Sequence, residues 1–290
     1  MKAHQKFAVV ALAAPIICGC NTFPTNSTID GKGNATTISV KTFLLDKAAP
    51  TIIYVPGCGI TETTSVDWAR KINSWGYNAL ITEDLEQKGT RSACTVFGIQ
   101  DVAPQERMES VVRTAQWVGK QAWHIGKIGM IGFGVGATTT LNIGANRKPI
   151  GTLEPLDSPI KAGVSYYPHC QSYHSNPNIP MQIHIGQSDD WTRSAGCLAL
   201  QNYQNYDVNV YTGAQHGFDA AGFDGVNWFG HTTKYDAPAS RIAEEKTREW
   251  GCLNFCVRGA EKLVHGGGRR LRRTTDAVGK LVPHVTRQPS

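Results

Sequence analysis

Beyond its first twenty residues the chain has no stretch both long and apolar enough to cross a bilayer, which excludes a bundle of membrane helices. Charge is sparse too. Asp, Glu, Lys and Arg make up 18 % of the 290 residues against 41 % hydrophobic, so the chain is not of the disordered class and can bury a sizeable core. A distributed basic surface is also missing. Residues 257–290 carry eight Lys and Arg against Glu261 and Asp276, and that imbalance alone accounts for the formal net charge of +6. The remainder is close to neutral, which excludes a nucleic-acid-binding face. Metal-ligand spacing is lacking as well. Only Cys252-x-x-x-Cys256 comes near it, with no matched partner pair, so neither a metal nor a cofactor is expected.

The two ends read differently from the middle. Lys2 and Lys6 precede the short apolar run Phe7 to Cys18, the form of an export signal. Ile17-Cys18-Gly19-Cys20 resembles a bacterial lipobox, in which Cys20 would be lipidated and anchor the protein in the periplasm or outer envelope; the plainer alternative is an ordinary signal peptide. The expected organisation is a leader over 1–20, a tether over 21–36, an α/β domain over 37–256 and a basic, disordered tail over 257–290. Export permits disulfides. Cys58 with Cys94, and Cys170 with Cys197, are the expected pairs, since each pair falls in loops at one end of the sheet; free buried cysteines are the alternative.

Within the domain, apolar runs alternate with amphipathic segments, the pattern of a mostly parallel sheet covered by helices. Strands are expected over 37–44, 51–55, 79–82, 127–133, 162–167, 181–185 and 208–211. Helices are expected over 65–75, 105–123, 135–143, 195–206 and 238–250. In the second helix Met108, Val111, Val112, Ala115 and Val118 recur at helical spacing and should face the sheet. Trp68, Trp75, Trp117 and Trp123 read as packing residues. The stretch from Gly222 to Tyr235 is expected as a long loop walling a cleft.

The decisive motif is Ile128-Gly-Met-Ile-Gly-Phe-Gly-Val-Gly-Ala137. An apolar strand runs into glycines at alternate positions and then into a Thr-rich helix, the layout of the strand-to-helix turn Gly-x-Ser-x-Gly. Here the frame is Gly132-x-Gly134-x-Gly136, so the central residue brings no attacking atom. Two more loops follow in the order acid, then histidine: Gly186-Gln-Ser-Asp-Asp-Trp-Thr192 and Ala214-Gln-His-Gly-Phe-Asp219.

With Val55-Pro-Gly-Cys-Gly59 and Tyr166-Tyr-Pro-His-Cys170, these motifs make the chain resemble the dienelactone hydrolase family over roughly residues 37 to 250. The resemblance implies an α/β-hydrolase fold, with Gly134 at the nucleophile position, Asp189 as the acid and His216 as the base. It also implies an oxyanion hole built from the backbone N–H groups of Cys58 and Val135. Arg107 matches a family arginine and is expected to anchor a loop. Asp190 is expected to cap the helix after the acid.

The ligand so implied is a small ester or lactone, bound and either hydrolysed weakly or not turned over. Thr138, Thr139 and Thr140 lie too far into the helix to replace the missing hydroxyl. Cys58 could replace it only as a free thiol, and water activated directly by His216 is a third route. Two other readings compete. One is a non-catalytic ligand-binding or interaction lipoprotein. The other is a dinucleotide-binding protein, since Gly132-x-Gly134-x-x-Ala137 also satisfies that fingerprint, with Glu154 about twenty residues on.

Overall fold

A computed structural model describes residues 25–29, 38–58, 61–83, 104–146, 157–170, 175–223, 225–228 and 230–255. The expected leader with Cys20, the residues Cys94 and Glu154, and the tail over 257–290 lie outside the described residues.

Eight strands form one sheet: β1 (Thr25–Ile29), β2 (Ile38–Phe43), β3 (Ala49–Val55), β4 (Asn78–Thr82), β5 (His124–Phe133), β6 (Ile160–Tyr166), β7 (Met181–Gly186) and β8 (Tyr206–Tyr211). Their order is β1-β2-β4-β3-β5-β6-β7-β8. The pairs β1/β2 and β2/β4 are antiparallel and the rest are parallel. The helices are α1 (Glu62–Ser74), α2 (Pro104–Val118), α3 (Val135–Gly144), α4 (Ser194–Ala199) and α5 (Ala237–Phe255).

Both faces of the sheet are covered, which is why its strands are apolar runs and not alternating ones. Successive side chains still go to opposite sides. In β3, Ile53 and Val55 join the core under α2, α3 and α4, with Met108, Val111, Leu141 and Cys197. Ile52 and Tyr54 join the core under α1 and α5, with Trp68, Ile72, Ala243 and Phe255. The five apolar positions expected on one face of α2 are all buried in the first core. Trp68 is buried in the second core, Trp75 packs against it, and Trp117 and Trp123 pack against the first.

Several expectations shift. The second helix stops at Val118, where Gly119 and Lys120 close a turn on Ala115 and Trp117, and β5 starts earlier, at His124. The helix expected over 195–206 is reduced to α4 and the 3-10 turn Leu200–Asn202, because the Gln/Asn-rich segment that follows favours turns and puts Asn205 at φ +68°. Part of the expected tether is structured: Thr25–Ile29, rich in β-branched residues, pairs with β2. The expected loop over 222–235 contains an antiparallel pair, β9 (Val226–Trp228) and β10 (His231–Thr233).

Under α5 lies a buried polar knot. His184, fully buried in β7, contacts Tyr211 Oη through Nδ1 at 2.7 Å, and Gln182 Oε1 and Thr247 Oγ1 through Nε2 at 2.9 and 3.0 Å. Burial, aided by the nearby Lys246 charge, drives its pKa down to about 3. Above about pH 6.5, the ordinary histidine value, neither the folded nor the unfolded chain is protonated at this ring and its full contribution is present. As pH falls from there toward 3, the unfolded chain takes up a proton that the folded one refuses, so stability is lost with acid. His184→Gln is expected to lower stability at pH 7.5 by about 1–3 kcal/mol and to flatten its fall between pH 6.5 and 4. Urea unfolding at a series of pH values measures both; equal slopes in the two proteins would remove His184 from the acid response.

Candidate active site

The turn between β5 and α3 is set by space. A Cβ on Gly132 would lie 2.4 Å from the Gly136 carbonyl oxygen, and one on Gly136 would lie 2.2 Å from that of Val55. Neither position can hold a side chain. Gly134 differs. Its Cβ would meet only ordinary contacts, 3.8 Å from His216 Nε2 and 3.8 Å from Tyr167 Cε2, but its backbone sits at φ +52°, ψ −117°. That conformation strains any L-residue by about 1–3 kcal/mol. The outer glycines are fixed by sterics and the central one by its dihedral angles alone.

Asp189 and His216 arrive on loops zipped together. A Cβ on Gly186 would strike the Ala214 carbonyl at 2.3 Å, so the two chains run in backbone contact. Gln187 N–H and Ser188 N–H donate to the carbonyls of Tyr211 and Ala214 at 2.8 and 2.9 Å. The Asp189 side chain is fully buried and completely satisfied. Oδ1 accepts from the N–H groups of Trp191 and Thr192 at 2.9 and 2.8 Å, and Oδ2 accepts from Thr192 Oγ1 at 2.7 Å and lies 2.9 Å from His216 Nδ1. Burial alone would raise this carboxyl. The bond and charge of His216, with the Thr192 bonds, outweigh it and hold the pKa below the usual carboxylate range.

The structure therefore brings Gly134, Asp189 and His216 together, with His216 between the other two. One imidazole nitrogen is tied to a carboxylate while the other faces the elbow, which is the arrangement of a general acid–base group with a fixed tautomer. The ring is packed by Tyr167 at a centroid distance of 4.5 Å and by Trp191 at 4.8 Å. Tyr167, at φ +44° just past β6, belongs to the Tyr166-Tyr-Pro-His-Cys170 motif, but nothing in that run marks its ring as the one that packs on the imidazole.

The loop after β3 completes the corner. The carbonyls of Val55 and Pro56 lie against Gly136, so the loop that leads to Cys58 runs in backbone contact with the first turn of α3, which begins at Val135. Arg107 is buried and donates from Nη2 to the Pro56 carbonyl at 2.8 Å, so it anchors this loop as expected. Cys58 is disulfide-bonded, which removes it as a free thiol; Cys94, its expected partner, is outside the described residues. Cys170 and Cys197 form the other expected disulfide, joining the loop after β6 to α4.

The Thr138, Thr139 and Thr140 hydroxyls donate to backbone carbonyls of Gly134, Val135 and Ala137 at 3.3, 3.0 and 2.7 Å. Asp190 does not cap α4. It accepts from Thr232 N–H at 3.3 Å, because Asp189 already takes the N–H groups of the turn. The glycine fingerprint that also suits a dinucleotide is consumed here by contacts with the protein's own backbone and by the turn facing His216.

The model of the dienelactone hydrolase family matches residues 41–251. No curated protein sequence matches. Among solved structures, a dienelactone hydrolase from Anabaena variabilis superposes with a TM-score of 0.58 at 14% identity, over 80% of this chain and 99% of that one. A dienelactone hydrolase-like promiscuous phosphotriesterase from metagenomic libraries gives 0.60 at 15% identity, over 80% and 99%. Esterase 2 from Thermogutta terrifontis, phosphorylated by paraoxon, gives 0.57 at 14% identity, over 79% and 94%. At these identities the likeness is one of fold.

The glycine series should separate space from strain. Gly136→Ala is expected to cost more than about 3 kcal/mol or to prevent folding, whereas Gly134→Ala should cost only about 1–3 kcal/mol. Thermal and urea unfolding of the two variants provides the comparison; equal losses would show that the elbow is not packed in this way.

Proposed function

Because this chain belongs to the dienelactone hydrolase family, we propose that its site binds a small ester or lactone and turns it over weakly or not at all. The observation that carries this reading is Gly134 itself. It occupies the strained turn of a nucleophile, and a side chain there would begin 3.8 Å from the unbonded nitrogen of an imidazole already paired to a buried carboxylate. Asp189 would hold the tautomer and stabilise the imidazolium, and the N–H groups of Cys58 and Val135 would receive the carbonyl oxygen of the ligand. Those donors belong to backbone shape and survive the loss of a hydroxymethyl group.

Chemistry by acyl transfer does not survive it. Removing one member of a nucleophile–base–acid set costs on the order of 10⁶-fold in the serine-protease precedent and leaves the residual rate due to oxyanion donors and binding. With Cys58 in a disulfide and the three threonine hydroxyls bonded to carbonyls, no neighbouring described group supplies the missing nucleophile. The same features support the second reading, a ligand-binding or interaction lipoprotein that uses the hydrolase shell without turnover.

Wild-type protein is expected to be nearly inert toward short p-nitrophenyl esters. Gly134→Ser should introduce turnover, and His216→Ala in that background should abolish it, with Gly134→Ala as the inert control for strain. Steady-state ester hydrolysis measures all four. Vigorous wild-type hydrolysis that persists in His216→Ala would overturn the assignment.

We also propose export and anchoring through Cys20, on the strength of Lys2, Lys6 and the lipobox-like Ile17-Cys-Gly-Cys20. Labelled palmitate should be incorporated by the wild-type chain and not by Cys20→Ser, which should leave the membrane fraction. Equal labelling of both proteins would rule out Cys20 as the acceptor.

A further inference from the structure

The His216 bond to Asp189 fixes one atom of the imidazole and leaves the ring free to swing about it, since a histidine ring torsion is broad. Packing on the ring must supply the rest. On one side that packing is rigid: Tyr167 is buried, and its N–H donates to the His184 carbonyl at 2.6 Å. On the other side the backbone is held in the same way, Trp191 N–H donating to Asp189 Oδ1 at 2.9 Å, but the ring is less enclosed. Trp191 lies on a turn, only partly buried, in the segment that bridges β7 and α4.

A second imidazole meets that indole. His231, first residue of β10, stacks on Trp191 at a centroid distance of 5.2 Å with the rings 14° from parallel. Its Nδ1 lies 3.5 Å from Asp190 Oδ1, and the next residue, Thr232, donates its N–H to the same carboxylate at 3.3 Å. The third residue of the strand, Thr233, pairs with His216 in a parallel bridge, and Lys234 N–H donates to the His216 carbonyl at 3.2 Å. Four consecutive residues of one short strand and its exit are thus spent on the Asp190–Trp191 turn and on His216. Two adjacent aspartates serve two histidines that share one tryptophan.

We propose that His231 is a positioning residue for this site: stacked on Trp191 and tied to Asp190, it holds the indole against the His216 imidazole and so fixes the direction in which Nε2 faces Gly134. Asp190 acts through His231 and Thr232. The kinetic arm of the test rests on the reading of His216 as the base; the spectroscopic arm does not.

In the Gly134→Ser protein, His231→Ala should lower kcat about tenfold with KM changed less than about twofold, because misaimed groups lose rate more than binding. His231→Phe, which keeps a flat ring on the indole, should recover most of that loss. In the wild-type chain, His231→Ala should move the His216 ring-proton resonances in NMR as the ring current of Trp191 shifts. Its melting temperature should stay within about 3 °C, since His231 is a partly exposed surface residue. Unmoved His216 resonances overturn the inference whatever the kinetics show. Resonances that move and are restored by His231→Phe support it, and they do so even if Gly134→Ser is silent, an outcome that counts against the functional reading alone.

Discussion

The C-terminal rim of the sheet is held by contacts in which a backbone carbonyl occupies the space of a side chain. The Gly136 oxygen fills that space at Gly132, the Val55 oxygen at Gly136 and the Ala214 oxygen at Gly186. Each contact lets two chain segments meet backbone to backbone, and the elbow, the Cys58 loop and the paired acid and histidine loops each depend on one of them. The first makes the elbow sharp. The second draws the loop carrying Cys58 against the first turn of α3. The third lays the histidine loop on the acid loop. A methyl group added at any of them would overlap a backbone carbonyl at 2.2–2.4 Å, so the two segments would have to part. Gly134 is the exception among these glycines, since space there is free and only the backbone angle is demanding.

Two histidine environments, one buried in β7 and one on the loop after β8, show that surroundings, not residue type, decide what an imidazole does. His184 is ringed by a hydroxyl, an amide and another hydroxyl, with a lysine nearby, and is kept neutral. His216 is paired with a carboxylate whose every bond is made inside the fold, so charge on the ring is met by an opposite charge that cannot rotate away. The first environment is built for packing under α5. The second ties one ring nitrogen to a buried carboxylate and turns the other toward Gly134.

How much of this is legible in the residues follows from which interactions are local. The apolar runs of β3, β5 and β7 and the amphipathic face of α2 are readable because each depends on one segment's own periodicity. The elbow is readable because its glycine spacing reports a steric demand, and Asp189 and His216 because they stand in turns directly after strands. The Cys170–Cys197 pair is readable because both cysteines follow the ends of neighbouring strands, although Cys197 proves to lie in α4 and not in a loop. What is not readable comes from contacts between segments far apart in sequence. The ring of Tyr167, the stack of His231 on Trp191 and the service of Asp190 to β10 rather than to α4 have no local periodicity to betray them. Nor do β1, β9 and β10, which are too short and polar to stand out from loop, or the early end of α4, where Gln and Asn side chains compete for backbone groups.

The disulfide between Cys170 and Cys197 has a mechanical consequence. The segment it closes, spanning a separation of 27 residues, contains the whole of β7 and the acid turn. Tethering a loop of that size removes unfolded-state freedom worth about 3–4 kcal/mol in the chain-entropy account. The bond also places the acid strand in a covalent ring whose first residue, Cys170, follows Tyr167 by three positions. If β8, the outermost strand, frays from the edge of the sheet, β7 cannot follow it independently. The Asp189 carboxylate, on the turn after β7, is restrained by the bond, whereas His216, on the loop that leaves β8, is not.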